Sequence, residues 1–341
     1  QAPYGRADKG AAWMLLAKLY QNAPVYLDNP QQQLGQNPST LVIDYTNRII
    51  NQGPYALETQ GSAQFSAYQH LFLADNHTAN GMIFAVPQDG QNQRTYGGTQ
   101  YLTHANLGLS GTGGDGDWSG DPGNLVGVDA GYGGMRTTSD GVALFEADQS
   151  SGPLADDRAL FYTVDQDRVI NNQNSFANGT IDDPIGFFRE GWAVLKYKNF
   201  NADGSTGSNP TFPDIDFPMF RLADAYLMYA EAVLRGGQGG SRSTALTRVN
   251  DIRRRANVPT ISDSDLTLPF ILRERGRELF WEAHRRTDLI RFDEFVNGQW
   301  RWKGGVPDGD VAVNECREVF PIAASELRAN PNLEQNRDCY K

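Results

Sequence analysis

Two cysteines in 341 residues leave no material for a disulfide-dense scaffold or a thiolate-rich metal centre. Cys316 and Cys339 lie near the C-terminus, where a pair closing a loop suits an oxidising compartment; two free thiols are the alternative. Histidine is as scarce: His70, His77, His104 and His284 fall in no H-E-x-x-H pattern and have no cysteine near them, so zinc and non-haem iron chemistry has no support. Basic residues are outnumbered, 30 Lys+Arg against 41 Asp+Glu, and the net charge of -11 opposes the counterion release that drives binding to nucleic acid or anionic lipid. No apolar run approaches the ~18–20 residues that cross a bilayer, since even the most apolar stretch, Phe217 to Leu234, carries Arg221, Asp224 and Glu231. Neither a G-x-S-x-G elbow nor a G-K-[ST] phosphate loop occurs, and among 41 acids nothing singles out a glycosidase pair. The opening Gln1-Ala2-Pro3-Tyr4 has no basic region, apolar signal core or lipidatable Cys, which reads as a processed or truncated chain.

What is present is a loop-rich globular composition: 39% hydrophobic and 21% charged residues, with Gly 36, Tyr 14, Phe 17 and Trp 6. The ends of the chain carry helical periodicity and the middle does not. From Arg6 to Asn22, Ala11, Ala12, Leu15, Leu16 and Leu19 recur at helical spacing, and a second helix runs from the Asn37-Pro38 cap to Gly53-Pro54. Residues 82–87 read as a short buried strand. Helices return at Pro218, where Phe220, Ala223, Tyr226, Leu227, Ala230 and Leu234 form one face that ends at Gly236-Gly237. A partner spans about Ser241 to Asn257, burying Leu246, Val249, Ile252 and Ala256. A third starts at Pro269, carries Ile271, Leu272, Leu279, Phe280 and Ala283, and breaks near Thr287. This divides the chain into a helical-hairpin part (1–60), an irregular loop-rich region (61–217), a helical scaffold (218–297) and a C-terminal segment packing on those helices (298–341).

Eleven glycines fall between Gly108 and Gly134. Gly111-Thr112-Gly113-Gly114-Asp115-Gly116 satisfies G-x-G-x-x-G, but no strand precedes it and no helix follows, as a dinucleotide site requires. Asp115, Asp117, Ser119, Gly120 and Asp121 partly copy a calcium loop, yet Val126 stands where a bidentate Glu should close the shell; a looser oxygen cage for Ca²⁺ is left open and no cofactor is assigned. More telling is Trp118 in this polar loop, with Tyr96, Tyr101 and Tyr132 nearby in sequence. An aromatic face stacks on the C–H face of a sugar ring, while Asp, Asn and Arg bond its hydroxyls. The candidate ligand-binding residues are therefore Trp118, Tyr96, Tyr101, Tyr132, Asp115, Asp117 and Arg136; no catalytic and no metal residue is named. Trp300 and Trp302, alternating with polar residues, fit a half-buried strand or a second platform.

The segment from Glu274 to Arg291 holds Glu274, Arg275, Arg277, Glu278, Glu282, Arg285, Arg286, Asp288 and Arg291 beside Phe280, Trp281 and Leu289. Such density predicts ion pairs buried between helices, which fix register more than they add stability.

The run Phe220-Arg221-Leu222-Ala223-Asp224-Ala225-Tyr226-Leu227-Met228-Tyr229-Ala230-Glu231-Ala232 resembles the SusD/RagB family, the surface-exposed outer-membrane lipoproteins of Bacteroidetes that capture nutrients. The resemblance continues through Asn250-Asp251-Ile252-Arg253, Glu274-Arg275, Glu278-Leu279, Glu282, Arg285, Asp288-Leu289-Ile290-Arg291, Phe320-Pro321-Ile322, Asn330-Pro331 and Gln335-Asn336. Weaker echoes of the family cover Ala11-Ala12 to Leu19-Tyr20, Tyr45 to Tyr55, Ile83-Phe84-Ala85-Val86-Pro87, Asp157-Arg158 and Lys196-Tyr197, and separately Leu15, Tyr20, Tyr45, Ile49 and Pro54 follow the tetratricopeptide pattern. The departures are Ala283, where the family often has Gly, and Ala323, where it often has Pro.

The resemblance implies a mainly α fold of tetratricopeptide-like hairpins bearing a large irregular ligand-binding region, and it makes this chain similar to the family's C-terminal portion. It also implies binding without catalysis, and docking as a lid on a SusC-like TonB-dependent transporter. The implied location is the cell surface, held to the outer membrane by an N-terminal lipid absent from this chain. Oligosaccharide or polysaccharide is the expected cargo; peptide in the same role is the alternative, and a carboxylate-pair glycoside hydrolase the remote one.

Overall fold

Asp8 accepts a hydrogen bond from Ala11 N at 3.1 Å and so opens the first helix, α1 (Lys9–Gln21), while Asn37 caps α4 (Pro38–Gln52), with Pro38 supplying a first-turn residue that needs no N–H partner. Between them lie two short helices, α2 (Ala23–Tyr26) and α3 (Pro30–Leu34). In the computed structural model the described residues are 3–105, 125–132, 135, 137, 139–146, 155–161, 193–298, 312–336 and 340. Among them the fold is mainly α. It continues with α5 (Gln100–His104), α6 (Ser139–Glu146), α7 (Leu222–Leu234), α8 (Arg242–Arg255), α9 (Leu268–Glu278), α10 (Arg285–Arg291) and α11 (Ala324–Ala329). A two-stranded antiparallel sheet pairs β1 (Met82–Val86) with β2 (Phe217–Arg221). Between β1 and β2 the described chain is loops, 3-10 turns and the short helices α5 and α6. Cys316 is disulfide-bonded, and Cys339, Trp300 and Trp302 lie outside the described residues.

α7 is the axis of the helical body. Every residue from Leu222 to Ala232 is buried, because α4, α8 and α9 pack around it and α1 touches it. A helix packed on all sides, its Asp224 and Glu231 included, has no solvent face to offer, and the one-faced reading of this segment is corrected accordingly. Its start is corrected too: Pro218 sits in β2, not in a helix, and Arg221 is still extended at φ -129° and ψ 150°. The aromatic and proline residues at 217–220 suit an edge pairing with β1 better than a first helical turn.

α1 packs on α4 through a different stripe from the one its largest apolar residues mark. Gly10, Ala11, Met14, Ala17 and Gln21 are buried, whereas Leu15 and Leu19 are exposed. One reason is close approach: a Cβ on Gly10 would meet the Tyr55 hydroxyl at 2.1 Å, so Gly10, Ala11 and Ala17 join Met14 in the buried stripe, and Tyr20 stacks on Tyr45 at 5.7 Å. Hydrophobicity alone selects the leucines; packing selects the small residues.

The break in the charged segment comes earlier than Thr287. α9 ends at Glu278, and Trp281 and Ala283 adopt left-handed conformations at φ 63° before α10 begins. Each such non-glycine residue carries a backbone cost of roughly 1–2 kcal/mol. The turn persists because it delivers Glu282 into the core, where the Arg221 guanidinium grips it with two 2.7 Å hydrogen bonds and Lys196 Nζ lies 2.5 Å away.

That contact belongs to a buried ionic lattice. Glu274 accepts from Arg158, Arg253 and Arg277 at 2.7–2.9 Å. Glu278 meets Arg255 at 2.6 Å and Arg221 at 3.0 Å. On the other side of α9, Arg275 joins Asp224 and Asp288, and Arg291 joins Asp288 and Glu231. Burial pushes the Glu278 carboxyl up, but Arg255, Arg221 and Arg158 outweigh it and hold it at about 2. Most of these pairs link different helices, as the density of charge beside aromatics predicts.

Candidate functional site

The lattice reaches the irregular region through one strip of chain. Lys196 anchors it to Glu282, Tyr197 Oη donates to the Trp281 carbonyl at 3.3 Å, and Asn199 at its end is fully buried. The Asn199 amide donates to the carbonyls of Gly127 and Asn209 at 3.1 and 2.9 Å, its side-chain oxygen accepts from Asp214 N at 3.2 Å, and its backbone N–H bonds Val126. Glycines allow this approach: Gly127 is left-handed at φ +72°, and a Cβ there would meet the Asn199 carbonyl oxygen at 2.5 Å. Asn199 thus fixes residues 126–128 and the 209–214 loop relative to each other.

On that base Tyr96 and Tyr132 come together beside α5, which itself carries Tyr101. Tyr96 is 75% exposed, Tyr101 54% and Tyr132 44%, against the usual burial of tyrosine bodies. The Tyr96 ring meets Phe212 edge-on at 5.2 Å. Gln100 Nε2 donates to Tyr132 Oη at 2.9 Å and to the Thr211 carbonyl at 3.0 Å, which ties α5 to the same 209–214 loop. The Tyr132 ring lies flat on His104, centroids 4.9 Å apart and planes 25° apart, and Tyr132 N donates to the His104 carbonyl. Asp129 completes the group: His104 Nε2 is 3.4 Å away, and Thr211 Oγ1 donates to its other oxygen.

The electrostatics leave this surface mostly neutral apart from Asp129. Burial pushes the His104 imidazole down despite Gln100 and Asp129, so it stacks under Tyr132 as a neutral ring. The Tyr132 phenol is raised by burial, then by Asp129 and Tyr96. With Gln100 donating to its oxygen, the Tyr132 O–H is left to donate outward. Exposed ring faces, a phenol donor, an amide and a carboxylate acceptor form a surface suited to a polyhydroxylated ligand. Among the described residues no cluster of three His, Cys, Asp or Glu could hold a metal.

Of the residues named from sequence, Tyr96 and Tyr132 are brought together around Gln100, Thr211 and Phe212, and Tyr101 is exposed on α5. Trp118, Asp115, Asp117 and Arg136, together with Ser119, Gly120 and Asp121 of the calcium-like loop, lie outside the described residues. Sequence reasoning missed Gln100, His104, Asp129, Thr211 and Phe212. The signals were thin: Gln100 and His104 share a helix face at i, i+4, and Phe212 is an isolated aromatic in a polar turn.

A SusD family model matches residues 147–340. The Starch-binding protein SusD of Bacteroides thetaiotaomicron is 32% identical over 98% of this chain and 61% of its own length, and SusD-like protein P38 of Formosa agariphila is 31% identical over 44% of this chain and 29% of its own length. Among solved structures, surface glycan-binding protein A of Bacteroides thetaiotaomicron in complex with laminarihexaose superposes with a TM-score of 0.64 at 21% identity, covering 98% of this chain and 64% of that one. A SusD superfamily protein of Parabacteroides distasonis gives 0.63, also at 21% identity over 98% and 64%. At that identity the superpositions speak for the fold. The chain spans about three fifths of the length of these fuller relatives.

Proposed function

Because this chain belongs to the SusD family, we propose that it is part of a surface nutrient-binding protein that captures oligosaccharide or polysaccharide and delivers it to a SusC-like TonB-dependent outer-membrane transporter. The observation that carries this reading is the pair of exposed tyrosines Tyr96 and Tyr132, held by Phe212, Gln100 and His104 with Asp129 at the edge, while Tyr101 is exposed on α5. Trp118 serves as the further platform, and Asp115, Asp117 and Arg136 as hydroxyl partners. The activity is binding, and the cargo leaves unaltered. Among the described residues no helix is long and apolar enough to cross a membrane; anchorage by an N-terminal lipid is what the family resemblance implies. The relatives named for starch binding and solved with laminarihexaose make a glucan the first ligand to try.

The test is gel retardation and calorimetry of the full-length protein against a panel of polysaccharides and peptides. At least one polysaccharide is expected to bind, and Trp118→Ala to weaken it. Peptide binding with no glycan bound would replace the cargo while leaving the transporter role to be judged by co-purification with the transporter. Turnover of any oligosaccharide would contradict the binding-only reading.

A further inference from the structure

Two polar groups at the edge of the tyrosine surface hang on one residue of the 209–214 loop. The Thr211 carbonyl accepts from Gln100 Nε2 at 3.0 Å, and the Thr211 hydroxyl donates to Asp129. A carbonyl can only accept, so the Gln100 amide must turn its nitrogen toward the loop, and that same nitrogen donates to Tyr132 Oη at 2.9 Å. Gln100 is buried, which holds the amide in this orientation. The Tyr132 oxygen is thereby an acceptor on its inner side, and its proton is available to a ligand on the outer side. Asp129 is opposite in kind, because a carboxylate can only accept. Its oxygens take the Thr211 hydroxyl and face His104 Nε2 at 3.4 Å, and its backbone N–H donates to the Pro210 carbonyl at 3.2 Å. Lone pairs remain open on a side chain that is 43% exposed.

The charge on Asp129 is left standing. It pairs with no Lys or Arg among the described residues. Burial pushes the imidazole of His104 down, so the ring that faces Asp129 does not neutralise it. Asp214, the other carboxylate of the same loop, is occupied by Gly90 N at 2.7 Å and by the backbone and hydroxyl of Ser208. A sugar hydroxyl at this edge can accept from Tyr132 and donate to Asp129. A uronate carboxylate can only accept, and it brings a second negative charge beside the first. An unanswered charge of this kind discriminates by what it repels as well as by what it binds. Resting on the reading of this surface as the glycan-binding face, we propose that Tyr132 and Asp129 form a donor–acceptor pair of fixed polarity that selects neutral sugars over uronates, with Asp129 the specificity-determining residue.

The full-length protein is titrated calorimetrically with maltohexaose, laminarihexaose, cellohexaose and mannohexaose, and with each of them oxidised at C6 to its uronate, so that backbone and linkage match within every pair. At least one neutral hexaose is expected to bind about fivefold or more tighter than its oxidised counterpart. Asp129→Asn keeps an acceptor oxygen for Thr211 and removes the charge; it should abolish most of that preference at an unchanged melting temperature. In the parent, raising the salt concentration should narrow the preference, as screening of an exposed charge requires. An oxidised hexaose that binds as tightly as its neutral form, a preference that Asp129→Asn leaves intact, or the absence of binding by every neutral hexaose overturns the proposal. Failure of the underlying reading is distinguishable, because hexaose binding would then be the same in Tyr96→Ala/Tyr132→Ala protein. If those substitutions weaken binding and Asp129→Asn leaves the preference intact, only the role of Asp129 has failed.

Discussion

The helical body and the tyrosine-bearing region use side chains in opposite ways. In the body, charged residues are inside: Glu274, Arg275 and Glu278 of α9, Asp288 of α10 and Arg221 at the end of β2 are buried and paired. In the irregular region, aromatic residues are outside: Tyr96, Tyr101 and Tyr132 face solvent on loops and one short helix. The first inversion enforces a single arrangement, since a buried charge accepts few positions for its partner. The second leaves apolar and hydrogen-bonding surface available to a ligand. Asn199 and the Lys196 strip join them, so precision in the body becomes precision at the surface.

The contrast can be broken from either side. Glu278→Ala strands Arg255, Arg221 and part of the Arg158 environment, and should cost about 3–5 kcal/mol in urea unfolding. Acid should act on the same body. Burial, and then Lys18 with Nζ 3.3 Å away, push the His284 imidazole down to about 4. The unfolded chain therefore binds the extra proton first: stability is full above about pH 6.5 and falls as pH drops from 6.5 to 4, by up to about 3 kcal/mol. The carboxylates of the lattice contribute fully above their ordinary value, about 4.5 for Glu278, and that stability is lost progressively as pH falls from there to about 2, where folded Glu278 takes up its proton. Comparing the pH dependence of His284→Asn with the parent isolates the first phase, which should vanish in the variant.

Asn199→Ala attacks the joint. Losing its bonds to Gly127, Asn209 and Asp214 should cost about 2 kcal/mol of stability and weaken glycan binding together, a coupling that thermal melts and calorimetry would show in one variant. The smallest effect is a gain: Ala283 occupies a left-handed position, so Ala283→Gly should stabilise the protein by about 0.5–1 kcal/mol, read as a rise in urea midpoint.

Much of the body was legible because helical period, caps and stops are local. Asp8, Asn37, Ser241 and Thr267 cap helices close to where the pattern begins, and Gly236 is left-handed just past the end of α7. The misreadings have physical sources. Leu15 and Leu19 are the conspicuous apolar residues of α1, but small residues decide how near Tyr55 and α4 come. Pro218 looks like a first-turn proline until β1, more than 130 residues earlier, supplies a pairing edge. The turn at Trp281 and Ala283 carries no glycine, and its non-helical backbone is held by Glu282 contacting residues far away in sequence. At the surface, the tyrosines declared themselves as aromatics in polar loops. Gln100, Asp129 and Phe212 did not, since they come together only after the 209–214 loop folds back onto α5. The same feature that seemed a mild departure from family habit, Ala in place of Gly at 283, marks a strained backbone position.

The account's central claim is that folding and ligand capture are carried by separate residues joined through Asn199. Its most direct test is calorimetric titration of the strongest-binding glycan into Tyr96→Ala/Tyr132→Ala protein alongside a thermal melt. The account predicts affinity at least tenfold weaker, about 1.4 kcal/mol, with a melting temperature within about 2 °C of the parent. Unchanged affinity, or a loss that tracks a large fall in melting temperature, would contradict it.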